Sequence, residues 1–425
     1  MDPPEREGGG CGGGARKKLK GAAAPAAVEA VSDDVLGEFL VRLPDTADLA
    51  RAALACKRWR HVASAADLLR RFYSLHEPPL LGFLMAEPNP KVFWFGAPAR
   101  RFIPAPSGNP HLAAAAAAAD CHFKDFVAKN RRTSVPGEWL VRGCDAGLFL
   151  LSFGVLDEEE LAVYDPIGRT STFLHRPNSI QFDLHNEFKV HYALVAGDSA
   201  ASFQVFTVQL MDGRLTGAVF SSRTGQWAAL PARSPPAPET WAWIMRDGVR
   251  SGRFAYWKSN TSLKRYFKNP DFEYAMVLET TTMEWTLVHM PFHAKESYCI
   301  ADMAQYGGLC IMASKEQVLQ LWARDGNGGW VIMRQVSLLN EFRSLKNLRR
   351  EEWMKRVRVL AVKDGYVYME FWTIRKPNSY LLVLNWETME LRVIPNGTDQ
   401  KYRGPAFPFF MTWAPPLLNP ATVEA

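Results

Sequence analysis

From about Leu80 onward the chain repeats one pattern, and that repetition constrains its fold more than any other feature. Short aromatic and β-branched runs alternate with Gly, Pro, Asn and Asp, the signature of strands and tight turns. Units of this kind cover residues 147–177, 202–231, 252–291, 307–336 and 365–395, with a weaker copy at 82–106. Four of the five clear units end on Pro; 307–336 does not. Successive units end about 45–60 residues apart, the span of a four-stranded propeller blade. Turn pairs Asp212-Gly213 and Asp325-Gly326 sit inside the units, and Asp364-Gly365 opens the last one.

A single blade cannot bury both faces, so neighbours must stack. Six copies predict a closed ring, with the apolar run 407–418 supplying a strand that joins its ends. Trp227, Trp285 and Trp330 recur near the unit ends and are expected to be buried between layers. A pair of β-sandwiches or an irregular β-rich domain fits the same strand pattern. Two insertions interrupt it. Residues 108–135 carry an alanine run and predict a helix and loop. Residues 337–358 space Leu338, Phe342, Leu345, Leu348 and Trp353 for a basic amphipathic helix. Such a helix either grips an acidic segment or lies on the ring with a solvated outer face.

Ahead of the repeats, residues 31–75 follow helical rules. Ser32, Asp33 and Asp34 suit a helix start. Val35, Leu36, Phe39, Leu40 and Leu43 follow at helical spacing, and Pro44 stops the run. Asp45 and Thr46 open a second helix through Leu49 and Cys56, and a third carries Lys57, Trp59, Arg60 and Val62. So short a segment has too small a core to cover all its apolar side chains. An ordinary helical hairpin, or a helix-turn-helix DNA reader built on Lys57, Arg58 and Arg60, remains open on pattern. No polar base-reading set recurs on one face.

The run Val35-Leu36-x-x-Phe39-Leu40-x-x-Leu43-Pro44, then Leu49, then Cys56-Lys57-x-Trp59-Arg60-x-Val62 resembles the F-box. Where that family often carries Leu-Pro ahead of the first helix, this chain has Ala30-Val31-Ser32. The resemblance implies a three-helix module docking a Skp-type adaptor and, through it, cullin. It implies adaptor contacts at Leu36, Leu40, Leu43, Pro44 and Leu49, and a module core of Val35, Phe39, Cys56, Trp59 and Val62. The repeats at 80–418 resemble the kelch-like F-box-associated propellers of plant F-box proteins. The expected fold is therefore a small helical F-box followed by a large all-β, six-bladed propeller. The expected role is a non-catalytic substrate-recognition subunit of a ubiquitin ligase, with an unknown protein as its target. A scaffold propeller and a propeller enzyme are the alternatives.

The totals agree with a globular protein: 48% hydrophobic, 22% charged and a net charge of +6 over 425 residues. That excess is too mild to argue for nucleic acid. Six cysteines without a C-x-x-C pair suit a reducing compartment, hence nucleus or cytoplasm. No apolar run reaches membrane-spanning length. Residues 1–30, rich in Gly, Ala and Pro, are expected to be disordered, with Arg16 to Lys20 as a possible import signal. His289 and His293 have zincin-like spacing, but Met290 stands where the catalytic Glu would be. No metal or other cofactor is expected.

Overall fold

The computed structural model describes residues 31–411 except 45, 77–78, 88–98, 107–109, 130–138, 154–159, 176–189, 198–201, 212–213, 232–246, 259–271, 294–296, 345–354, 364, 374–378 and 395–405. The expected disordered head lies outside these residues.

Four helices come first: α1 (Asp33–Val41), α2 (Thr46–Ala55), α3 (Lys57–Ala63) and α4 (Ala66–Leu75). The expectation of three is corrected. Ser64 closes α3, and Ala65 takes an extended conformation (φ −63°, ψ 130°), so the chain turns and begins a new helix. That helix contributes Leu68, Leu69 and Phe72 to the module core.

Strands β1 (Leu80–Glu87) and β2 (Ala99–Pro104) follow, then α5 (Pro110–Ala118) and α6 (Lys124–Lys129), two helices where the first insertion was expected to hold one helix and a loop. Blade one is β3 (Leu140–Asp145), β4 (Leu148–Phe153), β5 (Glu160–Asp165) and β6 (Thr170–Leu174). Blade two is β7 (His191–Ala196), β8 (Phe203–Met211), β9 (Arg214–Ser221) and β10 (Gln226–Ala229). Blade three is β11 (Val249–Ser251), β12 (Phe254–Lys258), β13 (Phe272–Glu279) and β14 (Glu284–His293). Blade four is β15 (Ser297–Met303), β16 (Gly308–Lys315), β17 (Val318–Arg324) and β18 (Trp330–Ser337). A short α7 (Leu339–Ser344) leads to blade five: β19 (Lys355–Lys363), β20 (Tyr366–Thr373), β21 (Ser379–Asn385) and β22 (Leu391–Ile394). The last described strand, β23 (Ala406–Phe410), pairs antiparallel with β1 and completes a sixth blade in the order β2-β1-β23.

The fold is thus a helical module and a six-bladed propeller, closed as expected by the apolar run near 407. The sequence units captured the outer three strands of each full blade and missed the innermost one. Each inner strand lies ahead of its unit, and β11 has only three residues. Inner positions are apolar because neighbouring blades cover both faces: every residue of β4 is buried, and every residue of β7. Outermost strands are wet; β10 has no fully buried residue.

One backbone device recurs between the third and fourth strands. Arg169, Gly225, Met283 and Met389 take left-handed φ of 52°, 67°, 58° and 62°. In three of these turns the left-handed residue donates its N–H to the carbonyl four residues back, Ser221, Glu279 or Asn385, at 2.8–2.9 Å. Only one is glycine, so the strained conformation is held by the sheet on either side.

The second insertion is corrected. Its described helix spans Leu339–Ser344, and β19 begins at Lys355, so Arg358 belongs to a strand. Leu338 and Phe342 are buried against blade five, while Leu345, Leu348 and Trp353 lie outside the described residues. Trp227, Trp285 and Trp330 are only half-buried, because they sit on the outermost strands, where one flank meets solvent.

Candidate functional site

Two surfaces stand out, one on the helical module and one along the axis of the ring. In the module, Ser32 caps α1 by accepting from the Val35 N–H at 3.4 Å, with Asp33 and Asp34 in the first turn. Ion pairs tie the helices together. Arg58 meets Asp33 at 2.8 Å and also donates to the Val31 carbonyl, and Arg71 meets Glu38 at 2.5 Å. The Arg71 guanidinium holds the Glu38 carboxyl below its ordinary range. His76 stacks on Phe72 at 4.1 Å and places Nε2 3.0 Å from the Val41 carbonyl.

The expected division of residues is largely reversed. Leu36, Leu40 and Leu49, expected to face the adaptor, are 3%, 1% and 0% exposed and form the module core. Val35 and Phe39, expected in that core, are 47% and 63% exposed. The reason is angular: each helical residue turns by about 100°, so Val35 and Phe39 form one i, i+4 ridge while Leu36 and Leu40 form the next. Packing of α1 on α3 and α4 selects the second ridge. Cys56 is likewise corrected from core to exposed; its sulfur caps α3, accepting from the Trp59 N–H at 3.5 Å. Val62 is buried, Trp59 and Leu43 are half-buried against the core, and Pro44 is exposed. Leu54, 54% exposed on α2, adds a further large apolar side chain to the surface. Burying a side chain such as Phe39 is worth about 1.5–3 kcal/mol, so this face gains from a partner.

Along the ring axis lies a cavity of about 1230 Å³, walled by the innermost strands of all six blades. These strands run in one direction, so the cavity has a start end and a finish end. At the finish end Leu80 pairs with Phe410, and the Met411 N–H donates to the Pro79 carbonyl at 2.9 Å. The module therefore joins the ring there, and Leu75 and His76 line the cavity. Arg142 pairs with Asp247 at 3.2 Å near the start end, and Arg250 with Asp145 at 2.9 Å near the finish end. The wall near Arg142, Lys258 and Arg358 carries one lining carboxylate, Asp247; the finish end carries Asp145, Asp302 and Glu387 against Arg250 and Lys363.

Burial of the ring thiols pushes them up, Cys310 to about 11 and Cys121 to about 12. Among the described residues no group of three or more His, Cys, Asp or Glu is arranged to hold a metal ion. Nor is any described helix long and apolar enough to cross a membrane. His289 instead packs edge-on against Tyr274 at 4.2 Å.

Comparison with known proteins supports both halves. Residues 33–74 match the family model described as F-box-like, and residues 260–417 match the model "F-box protein AT5G49610-like, beta-propeller". No curated protein matches the chain. Among solved structures, the chain is similar to TolB from Acinetobacter baumannii at 10% identity and a TM-score of 0.33, covering 71% of this chain and 63% of that one. It thus spans just under two thirds of TolB's length. A chain of the nidogen/laminin complex is similar at 7% identity and a TM-score of 0.39, covering 78% of this chain and 99% of that one. Residues 33–74 are therefore similar to F-box-like domains, and residues 260–417 to the β-propeller of an F-box protein family.

Proposed function

We propose that this chain is the substrate receptor of a Skp–cullin–F-box ubiquitin ligase. The observation that carries the reading is the exposed Val35 and Phe39 ridge on an F-box-like domain joined directly to a propeller. The ridge docks the Skp-type adaptor, which brings cullin; half-buried Leu43, exposed Pro44 and Leu54 extend the contact. The propeller holds a target protein. Ubiquitin transfer is then accelerated because the target stays at high effective concentration near a conjugating enzyme carried by other subunits. In this reading the chain is an adaptor, and the bond chemistry belongs to the other subunits. Its place of action is the nucleus, the cytoplasm or both.

The module joins the ring at the finish end of the inner strands, which leaves the start end for the target. The test is calorimetric titration of the full chain with a purified Skp-type adaptor. Micromolar or tighter binding, about −8 kcal/mol or better, is expected. Absence of binding removes the ligase reading and leaves a propeller scaffold in its place.

A further inference from the structure

We infer that the start end of the axial cavity captures an acidic segment of the target, with Lys258 as its anchor. The inference deepens the receptor reading and rests on it. Three cationic side chains, Arg142, Lys258 and Arg358, reach the cavity wall from blades one, three and five. Two of them hold carboxylates of their own: Arg142 meets Asp247 at 3.2 Å, and Arg358 meets Glu370 at 2.5 Å. Lys258 does not. Its ammonium donates to the Tyr298 carbonyl and lies 4.5 Å from the Tyr298 ring centre and 5.9 Å from that of Tyr256.

An ammonium has three donors and no acceptor. With one donor used, two remain, and the charge has no carboxylate among the described residues. Burial raises the strength of any charge pair formed there. The aromatic walls position the ammonium without neutralising it. At the finish end Asp145 meets Arg250, and Asp302 lies 3.7 Å from Arg253, so no comparable unmatched cation draws the segment there and the field along the axis favours entry from the start end. A cavity of about 1230 Å³ admits an extended peptide carrying Asp or Glu side chains.

The test uses the full chain and a short fluorescein-labelled peptide of alternating Glu and Ser, read by anisotropy. A Gln/Ser peptide, a Lys/Ser peptide, free glutarate and a short RNA of equal charge are the comparison probes. The acidic peptide is expected to bind best, with affinity falling as salt rises. K258Q should weaken it about threefold to tenfold, while K258R retains most of the affinity and both variants keep the parent's melting curve. Equal binding of the Gln peptide, glutarate or RNA, or an acidic peptide indifferent to K258Q, overturns the inference. Adaptor binding, measured on the same samples, is expected to be identical in K258Q. Its absence from the parent would remove the receptor reading without touching the peptide result.

Discussion

Asp145 and Arg250 form an ion pair at 2.9 Å even though blade two lies between the strands that carry them. Asp145 also accepts the Ala196 N–H at 2.7 Å, and Arg250 donates to the Ala196 carbonyl. One carboxylate thus ties three consecutive blades at the ring's centre. Arg142 and Asp247 repeat the arrangement at the other end of the same strands: Asp247 accepts the Tyr192 N–H at 3.0 Å, and Arg142 donates to the Val190 carbonyl at 3.3 Å.

Breaking the first of these ties should therefore cost stability. D145A strands a partly buried guanidinium and an N–H, and is expected to destabilise by about 2–4 kcal/mol. A cycle of D145N, R250Q and the double variant, measured by urea unfolding, should give a coupling of about 1 kcal/mol or more. Simple additivity would mean that the pair is incidental.

The tryptophans should divide by strand position. Trp257 is fully buried and packs on Trp285 with centroids 5.5 Å apart, so W257A should cost about 3–5 kcal/mol. W227A and W330A, on half-buried outermost strands, should cost about 1–2 kcal/mol. Thermal melts that rank them in the reverse order would contradict the blade assignment.

On the helical module, binding and folding should separate. F39D is expected to leave helical circular dichroism intact and weaken the adaptor by about thirtyfold or more, an anchor-residue loss near 2 kcal/mol. L40A removes a side chain 1% exposed and should cost about 2–5 kcal/mol of stability, losing helical signal along with binding. Full adaptor affinity in F39D would place the docking surface elsewhere.

Ring closure depends on one short strand. Truncation after residue 405 removes β23 and leaves one edge of β1 unpaired, with Phe409 and Phe410 gone from the core. The expected result is a lower, broader melting transition and a tendency to associate through the exposed edge. G82A tests the same seam: a Cβ there would lie 2.3 Å from the Ile103 carbonyl oxygen, so a destabilisation of about 1–3 kcal/mol is expected. Melting curves unchanged in both variants would show that the ring does not need this closure.

Thiol chemistry offers an independent check on burial. Cys56 is exposed, whereas Cys121 and Cys310 are buried, with thiols pushed up to about 12 and 11. C56S should abolish one fast phase of labelling by a thiol reagent, and buried Cys121, Cys299 and Cys310 should react only on unfolding.

Local chemistry was enough to read much of this protein. Period-two runs with turn residues announced the blades, the recurring spacing announced their number, and the apolar run 407–418 announced the closing strand, whose described part is Ala406–Phe410. Ser32, Asp33 and Pro44 marked the ends of α1, because capping and the missing proline N–H act within a few residues. What the sequence left undecided lies where distant parts meet. Val35 and Leu36 are equally apolar neighbours, and only the packing of α3 and α4 decides that one enters the core and the other meets solvent. The innermost strands escaped notice because β11 has three residues and β7 starts with a buried histidine, so burial by adjacent blades, not intrinsic pattern, holds them extended. The meeting of Asp145 with Arg250 across 105 residues, and the seat of the Lys258 ammonium on Tyr298, exist only once six sheets close around one axis, since charges so far apart in sequence interact only after the chain brings them within a few ångströms.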